Sequence, residues 1–581
     1  MRWKLGLRLG NLLDRQRLRL AHPNALPQMS LMGLATGIAA GAVIVLFRWA
    51  VEGAQAAFLA GGEPEAYESL PVWLRLVLPL LGGAAIGWLF HRFSGGLHLL
   101  GVARVLERIS YHQGYLTLRG FFLQFAGAAL ALVSGHSVGR EGPHVYLGAA
   151  SGSLLGQQLG LPNNSIRTLV GCGAAAGIAA SFNTPLAGVI FALEVVMMEY
   201  TLASFIPVML AAVAANMLSV TVFGNQPAFS VPAMHPGPLA EIPLVMLLGV
   251  LAGALSALFI HLLQLLSSKV RGWPFWWRTT LAGFLVGVLA MVEPQVMGIG
   301  YDSVNAALLG GIGWSVLALL LLFKLLATTA SVGMGIPGGM IGPALFMGAV
   351  LGSLFAQSAN LLMPAMYFDV GFYALLGMGA MMGASLQAPL AALVAVFELT
   401  YSPQIIMPGM LAVVIAGLTA SEVFGKESLF ITMLKAAGMD YRVDPLTQAL
   451  RRIGVASVMQ RSFVRAERLL APEGIDGLLH EKPEWLLIYE GAKPLALMRA
   501  VALVRYLQDE GEGDQAVDLL EIPGERDEVV GIDLQANLQQ ALERLDQAQV
   551  NALYVERTIA PGFQRIYGVL TRATVESAYQ Y

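Results

Sequence analysis

Gly142-Pro143-His144-Val145-Tyr146-Leu147-Gly148-Ala149-Ala150-Ser151-Gly152-Ser153-Leu154 and Gly342-Pro343-Ala344-Leu345-Phe346-Met347-Gly348-Ala349-Val350-Leu351-Gly352-Ser353-Leu354 are two copies of one pattern, GPxxxxGAxxGSL, without a gap in either. A second pair of motifs follows in the same order. Gly171, Gly173 and Ala174 lead to Pro185-Leu186-Ala187 and then Glu194; Gly377, Gly379 and Ala380 lead to Pro389-Leu390-Ala391 and then Glu398. In both copies the glutamate stands nine residues beyond the proline. Apolar composition alone produces Gly-Ala and Leu-Ala pairs, but not two ordered motifs with matching spacing. The chain therefore reads as two related halves.

Composition says where such halves reside. Of 581 residues 56% are hydrophobic and 13% charged, where a soluble domain carries about 25% charge. The mean hydropathy of +0.65 agrees, and a soluble enzyme is excluded. A net charge of −3 offers no basic field for nucleic acid. Cys172 is the single cysteine, so neither a disulfide framework nor a thiolate metal site is available, and no cofactor is implied. Arg2, Lys4, Arg8, Arg15, Arg17 and Arg19 against Asp14 precede the apolar run Leu31–Ala50. That run is long enough to cross roughly 30 Å of hydrocarbon, and the charge bias puts the N-terminus in the cytoplasm. It is also too long for the apolar core of a signal peptide.

Further long runs lie at 71–92, 203–224, 242–266, 279–292 and 315–333, and shorter ones at 144–158, 166–180, 185–196, 343–358, 372–383 and 389–399. Three regions follow: a basic cytoplasmic N-terminus (1–27), a transmembrane domain (28–435) and a soluble cytoplasmic tail (436–581). The predicted fold is mainly α, a polytopic membrane protein of tilted and broken helices in two inverted repeats, followed by a small α/β region. Helix breaks at membrane depth persist only where protein or a wet cavity takes up the freed backbone groups. In repeat-built transporters that is where the ion sits.

Each Gly-Pro pair is expected to open a helix, since proline in a first turn sacrifices no hydrogen bond. Gly135 and Gly139 precede one pair; Gly333, Gly335, Gly338 and Gly339 precede the other. Glycines let the backbone approach a ligand, and exposed N–H groups with the positive end of the helix dipole favour an anion. Gly148, Gly152, Gly348 and Gly352 read instead as helix-packing residues. Arg140 and Glu141 are charges at the mouth of a short helix, and an intramembrane charge is a functional candidate by default. A carboxylate there occupies an anion's place and leaves it when protonated; the alternative is a charge simply neutralised by Arg140.

At these residues the chain resembles the CLC family of chloride channels and proton–chloride antiporters, over about residues 30–435. Gly139-Arg140-Glu141-Gly142-Pro143 is similar to that family's gating-glutamate motif, and Gly335-Ile336-Pro337-Gly338-Gly339-Met340-Ile341-Gly342-Pro343 to its third anion-site motif. Phe182-Asn183-Thr184-Pro185-Leu186-Ala187-Gly188 is also family-like. The resemblance implies transport of monovalent anions across a cell membrane by a homodimer with one pathway per subunit and Glu141 as gate. It places anion contacts at Leu100, Gly101, Val102, Arg140, Glu141, Gly142, Met340, Ile341, Gly342 and Phe430.

Three departures bear on mechanism. Leu100 stands where the family's central serine is expected, and Phe430, or Leu429 in another alignment, where its central tyrosine is expected. With both hydroxyls missing, backbone N–H groups of Met340 and Ile341 and the Gly101 helix end are left to hold the ion. Val195 occupies the position of the inner proton glutamate, directly after Glu194. An aliphatic side chain carries no proton, which favours passive conduction. The alternatives are a proton-coupled antiporter, or a carrier of another anion such as bicarbonate or nitrate. Glu194 and Glu398 occupy equivalent places in the two repeats, so a shared structural role is expected. Lys324 either adds positive potential or snorkels.

The tail alternates short β-like strings with an amphipathic helical one: Val455–Met459, Trp485–Tyr489, Leu538–Leu545, Ala552–Val555 and Tyr567–Thr571. It resembles a pair of CBS domains. Their nucleotide sites often carry an aspartate three residues after the closing threonine, where this chain has Thr574, so no nucleotide is assigned. A membrane-embedded enzyme is disfavoured because HExxH does not occur, and His136 and His144 have no metal-ligand spacing. A non-conducting sensor is disfavoured by the intact Glu141 motif.

Overall fold

The computed structural model describes residues 20–22, 25–59, 64–95, 101–225, 229, 239–400, 403–439, 445–510, 516–560 and 563–578. Leu100, one of the expected anion contacts, lies outside them. The chain divides into two compact units, Pro27–Gln158 with Ile166–Tyr441, and Met1–Leu26 with Leu159–Ser165 and Arg442–Tyr581.

The first unit is helical. Among the described residues nine helices are long and apolar enough to cross a membrane. Five of them, Val72–Phe93, Leu202–Phe223, Ile242–Lys269, Phe275–Val292 and Trp314–Gly333, cover the long runs read from the sequence after the first, which itself lies within Leu26–Phe58. Two pieces that looked too short, 166–180 and 343–358, are parts of Asn163–Phe182 and Ile341–Leu362. Their ends carry Asn163, Asn164, Ser165 and Arg167, or Gln357, Ser358 and Asn360, which hides the helix from a hydropathy reading. Pro403–Val423 is a further span that the runs had not singled out.

The repeat is visible in packing. An added Cβ on Gly148 would lie 2.1 Å from the Gly173 carbonyl oxygen, and one on Gly152 2.1 Å from that of Leu169. In the second half Gly348 faces the Gly377 carbonyl at 2.4 Å and Gly352 that of Tyr373 at 2.1 Å. In each half the helix opened by the Gly-Pro pair thus lies backbone-to-backbone on the next one, a contact only a small residue allows.

The second unit is α/β. Its six-stranded sheet has the order β1 (Phe463–Glu467), β3 (Trp485–Glu490), β4 (Lys493–Arg499), β6 (Arg526–Asp533), β7 (Ala552–Ala560) and β8 (Phe563–Thr571). β2 (Leu469–Leu470) and β5 (Val517–Asp518) form a separate two-stranded ribbon. The pair β1/β3 is parallel and β3/β4 antiparallel, and β6/β7 and β7/β8 repeat that sequence. Helices Pro472–His480 and Leu538–Ala548 lie at equivalent points between the parallel strands, and Ala500–Glu510 and Arg572–Ser577 follow the closing strands. The tail is therefore a duplicated strand–helix–strand–strand–helix unit, as a CBS-like pair requires. Val455–Val458, read as β-like, is a short helix instead. The Gly454 carbonyl accepts both the Ser457 N–H (3.0 Å) and its hydroxyl (2.7 Å), and this turn chemistry overrides the β preference of the valines.

Candidate anion-binding site

The two glycine loops meet in an antiparallel bridge. The Gly139 N–H donates to the Gly339 carbonyl (2.8 Å), and the Gly339 N–H to that of Gly139 (2.6 Å). Each loop then opens its helix, Glu141–Gln158 or Ile341–Leu362, with the proline in the first turn. The helix Gly101–Tyr111 begins beside them: an added Cβ on Gly101 would lie 3.9 Å from the Gly338 oxygen and 4.0 Å from the Gly142 carbonyl. Three helix N-termini, two of them from equivalent points of the repeats, thus converge. Their first-turn N–H groups lack helical acceptors, and each end carries the positive pole of its helix dipole.

A carboxylate sits at the start of the second-repeat helix, between the two glycine loops. Glu141 is fully buried; its Oε1 accepts from the Tyr301 hydroxyl (2.9 Å) and its Oε2 from the Gly342 N–H (3.2 Å). An added Cβ on Gly139 would come within 1.9 Å of Oε2, so this position must be glycine while the carboxylate sits there. Arg140 makes no direct ion pair with it. The guanidinium donates to Glu52 (3.4 Å) and the Ser181 carbonyl (3.2 Å) and lies 5.2 Å from the centre of the Tyr301 ring. Glu52 also pairs with Arg48 (3.1 Å).

Other expected residues fall as follows. The Gly101 N–H donates to the Gln124 side chain (2.8 Å), and Val102 is buried in the first turn of the same helix. Met340 and Ile341 are buried at the start of their helix, directly before the Gly342 N–H that holds Glu141. Phe430 is buried edge-on to Phe191, ring centres 6.4 Å apart, and adds no donor. Val195 is buried within a π-helical turn, Ala192–Met197. Glu194 and Glu398 form reciprocal caps. Glu398 accepts from the N–H groups of Leu186 (2.9 Å) and Ala187 (2.7 Å), Glu194 from those of Leu390 (3.2 Å) and Ala391 (2.7 Å). Each carboxylate caps the proline-initiated helix of the other half. Lys324 does not snorkel: it is fully buried and donates to the carbonyls of Val296, Gly298 and Ile299 (3.0–3.3 Å).

Sequence reasoning missed Tyr301. The available signal was Gly298-Ile299-Gly300-Tyr301, a glycine-flanked aromatic in a gap between apolar runs. Gly300 has a φ of +81°, and a side chain there would meet the Phe346 ring at 2.7 Å.

The family model of voltage-gated chloride channels matches residues 82–421, more than half of the chain. The chain belongs to that family, the CLC proteins. A ClcB-like protein of Ralstonia nicotianae, named for a chloride channel, is 35% identical over 362 residues, 61% of this chain and 83% of the relative. The H(+)/Cl(−) exchange transporter ClcA of Vibrio cholerae is 29% identical over 413 residues, 69% of this chain and 88% of its own length. Among solved structures, a slow cyanobacterial Cl−/H+ antiporter has a TM-score of 0.62 at 24% identity, covering 70% of this chain and 97% of its own. A eukaryotic CLC transporter reaches 0.58 at 19% identity and covers 94% of this chain and 97% of its own. The likeness of fold extends into the tail. This CLC protein is a multi-pass membrane protein of anion transport, from a family of transporters and channels and not of enzymes.

In the tail, Thr571 caps the last helix by accepting the Thr574 N–H (3.3 Å), and the two hydroxyls lie 2.8 Å apart. The position where a CBS ligand site carries an aspartate thus belongs here to a helix cap.

Proposed function

We propose that this CLC protein conducts monovalent anions passively, along a pathway in each subunit of a homodimer, gated by Glu141 and with both termini in the cytoplasm. The observation that carries the proposal is the Glu141 carboxylate itself. It is an anionic group held by a helix N-terminus of the other repeat, where a permeating anion would find the same donors. While ionised it competes with the anion; once protonated it no longer does.

Val195 supports passive conduction, because the inner side of the pathway has no carboxylate at that position. Glu194 does not replace it readily, since both its oxygens already cap a helix. A proton-coupled mechanism is favoured by the name of the Vibrio cholerae relative. The two separate in liposomes loaded with a chloride or nitrate gradient and an internal pH probe. Anion flux without uphill proton movement is expected; proton pumping in fixed ratio to anion flux would establish the coupled reading instead.

The Leu100 position makes a second test. Leu100→Ser supplies a hydroxyl where leucine offers no donor, so chloride binding should tighten several-fold by calorimetry. Identical affinity in a folded, transporting variant would place Leu100 away from the ion.

A further inference from the structure

We propose that Tyr301 is the latch of the gate and also its exchange donor: one hydroxyl that holds the Glu141 carboxylate in the closed state and passes to the permeating anion when that carboxylate takes a proton. The inference rests on Glu141 as gate and adds the residue that governs it. Tyr301 Oη lies 2.9 Å from Oε1, and the Gly342 N–H, 3.2 Å from Oε2, supplies the other bond. One donor therefore comes from each side of the carboxylate, and only one of them is a side chain.

The ring that carries the hydroxyl is packed by three neighbours. Edge-on contact with Phe229 (5.1 Å between ring centres), the tilted Phe182 ring (6.3 Å) and the Arg140 guanidinium over the face fix the phenol. Its backbone is fixed too. Glu65 accepts the Gly300 N–H (3.3 Å), and Lys324 ties down the carbonyls of Gly298 and Ile299. A buried lysine with no carboxylate partner at hydrogen-bond distance among the described residues is costly, and here it fixes the turn that presents Tyr301. A preorganised hydroxyl of this kind needs no rearrangement to serve a second acceptor.

A phenol O–H has one proton to donate. While Glu141 is ionised it is the strongest acceptor in reach; once protonated it becomes a weak one, and an anion at the helix N-terminus takes its place. Tyr301 thus supplies, at the gate, the side-chain hydroxyl that Phe430 does not. The charged and titratable groups around the pair are Arg140, Arg48, Glu52, Glu65, Asp302, Lys324 and His144. Of these Arg48, Glu52, Glu65, Arg140 and His144 line one cavity of about 20 Å³, room for one water.

Tyr301→Phe removes the hydroxyl and keeps the ring. Losing a donor to the ionised form lets Glu141 protonate at higher pH, so half-maximal flux should move up by about one pH unit. In the Glu141→Gln background that shift should vanish, while calorimetric chloride affinity should still fall about tenfold on adding Tyr301→Phe. Phe229→Leu, which loosens the ring but keeps the hydroxyl, should move the pH profile in the same direction by clearly less. An unchanged pH profile and unchanged chloride affinity in Tyr301→Phe would overturn the latch, as would an equal pH shift in both backgrounds. Should Glu141→Gln itself leave flux and pH dependence intact, the gate fails before the latch is reached; should it open the pathway while Tyr301→Phe does nothing, the latch alone fails.

Discussion

Glu141→Gln is expected to raise anion flux tenfold or more at neutral pH and to remove its dependence on pH. The amide has the shape of the protonated acid and cannot ionise. Two donors hold the carboxylate, from Tyr301 and Gly342, and each bond to a charged acceptor is worth about 1.5–3 kcal/mol net. Replacing the charge by a neutral oxygen weakens both and ends the competition with the anion at the helix N-terminus. The sign follows directly: wild-type flux rises as pH falls, because protonation removes the competitor, and the variant should match the wild-type acid limit at every pH. Chloride efflux from liposomes across the acidic to neutral range checks it. Flux and pH dependence both unchanged would remove Glu141 from the gate.

That Glu141 was open to sequence reading follows from the kind of signal it carries. A charge between two glycines inside a repeated apolar motif is anomalous in one dimension, without knowledge of the fold. The repeat itself was legible for the same reason, since glycines that allow backbone contact, such as Gly148 and Gly348, recur wherever the packing recurs. Tyr301 was legible only as a glycine-flanked aromatic, because its role as donor to a residue 160 positions away appears only once the chain is folded. Arg140 was legible as a charge but not in its partners, since Glu52 and Ser181 reach it from other helices. The ends of Asn163–Phe182 and Ile341–Leu362 were blurred by polar residues that hydropathy reads as loop.

The reciprocal caps make the remaining large prediction. Glu194 and Glu398 each take two backbone N–H groups of the opposite half, at 2.7 and 3.2 Å and at 2.7 and 2.9 Å. Leu186 and Leu390, whose N–H groups are bound, both expose their side chains, so the arrangement is symmetric down to its surroundings. Removing either carboxylate frees two donors at a helix start inside an apolar unit, where an unsatisfied backbone group costs several kcal/mol. Glu194→Ala and Glu398→Ala are therefore expected to lower the unfolding temperature in detergent strongly and by similar amounts, and Val195→Ala only slightly. Glu194→Gln, which keeps one acceptor oxygen, should fall between. The same geometry favours structure over proton transfer, because a fixed N–H on each carboxylate oxygen stabilises the ionised form of Glu194 in place. Glu194→Gln should accordingly reduce stability without altering any ratio of proton to anion movement. A variant as stable as wild type that loses proton movement would reverse the assignment and make Glu194 the inner proton station.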